Sequence, residues 1–224
     1  MSSSAPENTS SAPVEFQPNC TWRFLHFILT PFFALWVRTR VVGRENLDSS
    51  QGGLLLLNHQ SFVDPMVASF GLQRPISYLA RDGLFRIPVI GWVLRHTYVQ
   101  SISQTAFRAS SIRSAVDRMH QGFLVGIFPE GERSSGDVKK FKRGFLSLVR
   151  RVELPIYPVG IFGTDRVMPR GSIFIRPGKV TVVFGKPLSK EEINQLRTGN
   201  DDHQLTELMR KRVADCITEA KQWH

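Results

Sequence analysis

The sequence predicts a single α/β domain: a mixed, largely parallel central sheet flanked by helices, with an amphipathic helix on its N-terminal side. Three observations carry this. Apolar runs at 54–57, 123–128 and 154–161 have the length and continuity of strands buried on both faces. Segments with helical spacing fall between and after them, and such alternation builds a layered α/β structure. The chain has 224 residues, 42% of them hydrophobic, enough for one sizeable core, and it shows no internal repeat.

Residues 1–18 are rich in Ser and Pro, lack periodicity and are expected to form a disordered tail. They lack the basic and apolar regions of a secretory signal. Residues 19–39 hold the N-terminal helix, centred on 21–37. Arg23, His26 and Thr30 fall on one narrow stripe, and the rest is Trp, Phe, Leu and Ile. Only fourteen residues separate Arg23 from Arg38, about 21 Å of helix against a hydrocarbon core of about 30 Å. A helix lying in the membrane interface fits better than a span, with Trp22 and Trp36 near its ends. One face can cover the protein and the other meet lipid. Pro31 should kink it.

The domain proper is expected over 40–224. A short strand at 40–44 leads to a turn at Gly43-Arg44-Glu45-Asn46. The strand at 54–57 follows, then Asp64-Pro65 as a helix start, with Asp64 at the N-cap. Strands are expected at 76–80 and 98–99. Between them, 83–95 is strongly apolar, interrupted by Pro88 and Gly91, and reads as core or as the lining of an apolar channel. Residues 106–121 read as a helix, with Phe107, Ile112, Ala115, Val116 and Met119 on one side and Gly122 stopping it. After the strand at 123–128 come a short helix at 144–152 and the strand at 154–161. A hairpin of 172–176 and 179–184 should turn at Pro177-Gly178, and helices at 188–197 and 205–223 close the chain.

Charge narrows the partners. The net charge is +10 and the pI about 10.2, which suits nucleic acid, an anionic membrane surface, or an acidic carrier or substrate. The chain has no aromatic-basic nucleic-acid motif, and such binding leaves the Phe/Trp helix unexplained. Dinucleotide, P-loop, serine-hydrolase elbow and zinc-finger patterns are missing too. Cys20 and Cys216 lie far apart and are expected as free thiols.

Two strand ends carry chemistry-bearing residues. The run at 54–57 ends in Asn58-His59-Gln60-Ser61-Phe62-Val63-Asp64, and sites in open α/β sheets lie outside the carboxyl ends of strands. A tight loop can return the Asp64 carboxylate to the His59 imidazole. That would fix its tautomer and leave the other ring nitrogen as a general base. The run at 123–128 ends in Pro129-Glu130-Gly131-Glu132-Arg133-Ser134. From Arg133 to Arg151, both included, stand seven basic residues and one acidic, Asp137. Gly-rich backbone amides with Arg133 and Lys142 suit a phosphate or carboxylate.

These blocks resemble the glycerolipid acyltransferases, typified by 1-acylglycerol-3-phosphate (lysophosphatidic acid) acyltransferases. The resemblance spans about 41–188 and rests on Asn58–Asp64 with its His-x4-Asp spacing, Phe128-Pro129-Glu130-Gly131 with Arg133-Ser134, Phe141-Lys142-Arg143-Gly144, and Leu154-Pro155-Ile156-Tyr157-Pro158-Val159-Gly160-Ile161. It implies acyl transfer from a thioester of coenzyme A or acyl carrier protein to a lipid hydroxyl. His59 is then the base, Asp64 its orienting partner, and Glu130, Gly131 and Arg133 shape the acceptor site. It implies no metal and no cofactor beyond the thioester co-substrate. It implies a protein on the cytoplasmic face of a membrane, peripheral or monotopic. The pattern breaks at Ser101, where the family carries an Arg that helps hold the acceptor's phosphate, and at Glu132, usually a small polar residue. The acceptor is therefore lysophosphatidate or a lyso-lipid with another head group, such as an aminolipid. A non-catalytic membrane-binding protein on the same fold is the alternative from another class.

Overall fold

The computed structural model describes residues 18–72, 74–102, 109–199 and 201–224. The expected tail over 1–18 except its last residue, the start of the 106–121 helix and its Phe107 lie outside them. Seven strands form one sheet: β1 (Thr39–Val42), β2 (Gly53–Leu57), β3 (Ile76–Arg81), β4 (Gln100–Ile102), β5 (Leu124–Ile127), β6 (Ile156–Phe162) and β7 (Val180–Phe184). Their order is β1-β7-β6-β2-β5-β3-β4. All neighbours are parallel except β6 and β7, so the sheet is mixed and largely parallel, as the sequence predicts.

Eight helices accompany it among the described residues: α1 (Cys20–Leu35), α2 (Asp64–Phe70), α3 (Pro88–His96), α4 (Ala109–His120), α5 (Leu146–Val149), α6 (Thr164–Val167), α7 (Lys190–Thr198) and α8 (Asp202–Gln222). The side-chain period of two divides the central strand between two cores. Leu54 and Leu56 join Ile112 and Met119 of α4, Leu148 of α5, and Met209, Val213 and Ile217 of α8. Leu55 and Leu57 join Val67 of α2 and Phe33 of α1 on the other face.

Helix α1 starts where Asn19 Oδ1 accepts from the Trp22 amide at 2.8 Å. Its buried positions are Trp22 and Phe33. His26 lies on the same side, stacked between Trp22 (centroids 4.6 Å apart) and Phe70 (5.6 Å). The outer face carries Phe24, Phe27, Ile28, Leu35 and Trp36, all exposed. The helix thus turns His26 inward with Trp22 and Phe33 and leaves a second set of large apolar residues outward. No helix among the described residues is long and apolar enough to cross a membrane.

Four expectations are corrected. Residues 172–176 are not a strand. Ile173 and Phe174 face solvent, and Pro177 has no N–H to give a ladder. Strand β7 is instead inserted between β1 and β6, with Val159 opposite Phe184. Residues 98–99 are not a strand either: Tyr98 has φ of 66°, a left-handed conformation no ladder admits, and β4 begins two residues later. The apolar stretch 83–95 is not core. Pro88 starts α3 instead of interrupting an element, and Val89, Ile90 and Trp92 are exposed. Gly91 is there because a Cβ would lie 2.2 Å from the Phe85 carbonyl oxygen of the preceding 3-10 turn. Asp64 is the first residue of α2 and makes no N-cap bond to that helix.

Candidate active site

Strands β6, β2, β5 and β3 are mutually parallel neighbours, so their carboxyl ends share one edge of the sheet. The residues just past those ends, or at them, are Thr164, His59, Glu130 and Arg81. This is where the crevice of an open α/β sheet lies.

His59 leaves β2 after Asn58, whose amide extends the sheet. Asn58 Nδ2 donates to the Ile161 carbonyl at 2.9 Å, and Asn58 Oδ1 accepts from the Ile161 amide at 2.7 Å. The loop 58–63 then folds back, so that His59 Nδ1 lies 2.8 Å from Asp64 Oδ2. The same oxygen accepts from the amides of Gln60 (2.6 Å) and Ser61 (2.8 Å), and Oδ1 accepts from the Thr164 hydroxyl at 2.5 Å. Asp64 is fully buried, and these four bonds replace the water its carboxylate has lost. With Asp64 accepting at Nδ1, the neutral imidazole carries its proton there and Nε2 is the acceptor nitrogen. The ring stacks on Phe128 with centroids 4.3 Å apart, and Phe128 stacks on the buried Tyr78 at 5.7 Å.

Glu130 is buried behind His59. Its Oε1 accepts from the His59 amide at 2.8 Å, and its Oε2 from the Ser134 hydroxyl (2.7 Å) and the Lys139 amide (3.0 Å). The Ser134 amide donates to the His59 carbonyl at 2.7 Å. The loop after β5 therefore grips the His59 backbone on both sides. Gly131 makes the tight turn with φ of 68°, and a Cβ there would lie 2.8 Å from Lys142 Nζ. Arg81 Nη2 donates to the Gly131 carbonyl at 2.9 Å. The Arg133 guanidinium sits 3.8 Å from the centroid of the half-exposed Phe62 ring. Glu132 pairs with Lys139 at 3.2 Å. Lys139 above all, with Lys142 and Arg170 behind it, holds the Glu132 carboxyl below its ordinary range.

The structure brings His59 to Asp64, Glu130 to the His59 backbone, and Gly131 to Lys142. Arg133 packs on the ring of Phe62, three residues from His59. Ser101 stands apart, its hydroxyl donating to Asp82. Sequence reasoning missed Thr164, Asn58 as a strand extender, and Arg81. A Gly-Thr pair at the end of the third apolar run and an Arg ending the 76–80 strand were the available signals.

Comparison with known proteins identifies the family. The acyltransferase family model matches residues 38–162. A 1-acyl-sn-glycerol-3-phosphate acyltransferase of Brassica napus is 31% identical over 179 residues, 74% of this chain and 51% of that protein. The enzyme of that name from Bacillus subtilis is 26% identical over 195 residues, 87% of this chain and 96% of its own length. The chain spans about half the length of the plant and algal relatives it matches. The crystal structure of the 1-acyl-sn-glycerophosphate acyltransferase PlsC from Thermotoga maritima superposes with a TM-score of 0.69 at 26% identity, covering 89% of this chain and 80% of that one. The family model covers more than half of the residues, from the start of the sheet through β6, and the chain belongs to the acyltransferase family.

Proposed function

We propose that the protein transfers a fatty acyl group from an acyl thioester, of coenzyme A or acyl carrier protein, to the hydroxyl of 1-acylglycerol-3-phosphate, giving phosphatidic acid. The observation that carries this reading is the 2.8 Å contact between His59 Nδ1 and a fully buried Asp64 carboxylate at the end of β2. The acceptor hydroxyl gives its proton to His59 Nε2 as its oxygen attacks the thioester carbonyl. The tetrahedral intermediate collapses, the C–S bond breaks, and the proton passes from His59 to the departing thiolate. The substrate's own hydroxyl stands where a hydrolase would use a serine, so no acyl-enzyme forms.

The acceptor site is drawn from Gly131, Arg133 and Lys142, with Glu130 shaping it from behind and Arg81 at its rim. Their cations offset the charge missing at Ser101. A family resemblance to enzymes named for 1-acyl-sn-glycerol-3-phosphate supports that acceptor. The outward Phe24, Phe27, Ile28 and Leu35 of α1, with the net charge of +10, support residence on an anionic membrane surface. Acyl thioesters meet such a surface on its cytoplasmic face.

The test is transfer from a radiolabelled acyl thioester to a panel of lyso-lipids. His59→Ala should lower turnover by at least about 10²-fold while leaving the fold intact, and Asp64→Asn should also be severe. Near-normal turnover by His59→Ala refutes the mechanism. The break in pattern at Ser101 favours one second reading, a lyso-aminolipid acceptor. A wild type that ignores lysophosphatidate but acylates an aminoacyl lyso-lipid would establish it.

A further inference from the structure

We propose that the loop between α6 and β7 is a second lipid-docking element, which sets an Ile173-Phe174 tip into an anionic bilayer beside the mouth of the site. The proposal rests on the reading of the chain as an enzyme that works on bilayer lipid.

The tip is the most exposed apolar pair outside α1: Ile173 is 81% and Phe174 75% exposed. The backbone around it is held. The Arg176 amide donates to the Val167 carbonyl at 2.8 Å, the Ser172 amide to Pro169 O at 3.0 Å, and the Phe174 amide to Ser172 Oγ at 3.2 Å. Two bonds tie the loop to the end of α1: Trp36 Nε1 donates to the Ile175 carbonyl at 3.0 Å, and the Gly178 amide to the Trp36 carbonyl at 3.2 Å. A third ties it to the site, where Ser61 Oγ donates to the Met168 carbonyl at 2.7 Å. The loop therefore bridges the outward Leu35 of α1 and the Trp36 that follows it to the loop that carries His59 and the half-exposed Phe62.

Charge identifies the occupant. From 166 to 186 the chain carries Arg166, Arg170, Arg176, Lys179 and Lys186 and no acidic residue. Arg166, Arg170, Arg176 and Lys179 are exposed. Two aliphatic-aromatic side chains between cations match the layering of an anionic bilayer, acyl chains below and phosphates above. A second copy of the chain would bring the same cations against each other. The loop and α1 together give contacts on both sides of Trp36, which fixes the tilt of the domain and turns the carboxyl edge of the sheet toward lipid. The head group of an acceptor lying in the bilayer then reaches the site without the lipid leaving the membrane.

Two measurements on the full chain test this. In co-sedimentation with vesicles of equal phosphatidylcholine and phosphatidylglycerol, the double variant Ile173→Asn, Phe174→Asn should bind about tenfold more weakly than wild type, with an unchanged melting temperature. Arg170→Gln with Arg176→Gln should lose binding on these vesicles and change little on phosphatidylcholine alone. In a Cys20→Ser background, an environment-sensitive fluorophore on Ser172→Cys should shift to the blue on vesicle addition. If wild type binds the vesicles but the apolar variant binds as well and the reporter does not shift, the loop has no such role and the enzyme reading stands. If wild type binds neither vesicle, the membrane reading falls with it. Self-association of wild type without lipid, abolished by the apolar variant, would assign the tip to a second copy and overturn the proposal.

Discussion

Thr164 reaches Asp64 across 100 residues of chain, and its hydroxyl is the one side-chain donor to that carboxylate besides His59 among the described residues. Thr164→Val keeps the shape and removes the hydrogen bond, at a cost of about 1–3 kcal/mol for a buried charged acceptor. The expected outcome is a lower urea midpoint together with a lower kcat, a near-normal KM for the thioester, and recovery of both losses in Thr164→Ser. Lost stability with full turnover would show that the Thr164 bond only braces the fold and does not tune the His59–Asp64 pair. Glu130→Gln belongs to the same test: one of its two inward ends must now present N–H groups to the amides of His59 or Lys139, so turnover should fall although the residue need touch no substrate. His59 and Asp64 were legible in the sequence because they stand five apart at a strand end. Thr164 was not, because nothing local announces a partner from a distant strand. Glu130 was legible as a candidate at a strand end but not as a buried brace, since that placement depends on which way the loop after β5 turns.

Among elements, strands β2, β5 and β6 were legible because burial on both faces leaves nearly unbroken apolar runs. The 83–95 and 172–176 stretches misled for a related reason: apolar content signals burial only where the fold supplies a face, and α3 and the α6–β7 loop have surfaces the domain does not cover. Helix α1 separates the two uses of apolar residues within one element. Phe33 is 2% exposed and stacks on Phe70 at 5.0 Å, whereas Phe27 is 79% exposed. Phe33→Ala should cost about 3–5 kcal/mol in equilibrium unfolding. Phe27→Ser should leave stability within about 0.5 kcal/mol and weaken vesicle binding. Equal effects of the two on stability would mean that the outer face is covered by protein. The same helix carries a pH dependence. Burial lowers the pKa of His26 from its ordinary 6.5, so the unfolded chain takes up the proton first. This contribution to stability is complete above 6.5 and is lost as the pH falls below it. Between about pH 7.5 and about pH 5.5, wild type should therefore lose more melting temperature than His26→Phe.

At the scale of the whole molecule, the C-terminus closes over the edge of the sheet where β1 and β7 run against the other five strands. Arg40 of β1 lies 4.3 Å from the Trp223 ring centroid, and Lys179, just before β7, reaches the His224 carbonyl at 3.4 Å. This closure was invisible in the sequence: the strands were readable one by one, but the order that inserts β7 between β1 and β6 comes only from how their apolar faces are shared. Helix α8 covers β6 and β7, and its Cys216 faces them. Its Sγ is 3.7 Å from the Pro158 carbonyl, and a Cβ on Gly185 would lie 2.6 Å from the same sulfur. Burial pushes the Cys216 thiol up to about 12, so it carries almost no thiolate at neutral pH, and thiolate is the form that reacts. Cys20, at the exposed start of α1, has no such cover. A thiol reagent at neutral pH should therefore label Cys20 promptly and Cys216 only as fast as α8 leaves β6 and β7. Because α8 packs on the central strands through Met209, Val213 and Ile217, that departure requires the sheet itself to open, and the slow phase should track global unfolding. The Phe33→Ala variant should accelerate it even though Phe33 lies on the opposite face of the sheet. A Cys216 rate that ignores Phe33→Ala while the melting temperature falls would mean that the two cores open independently, with β6 and β7 exposed without loss of the layer that holds α1 and α2.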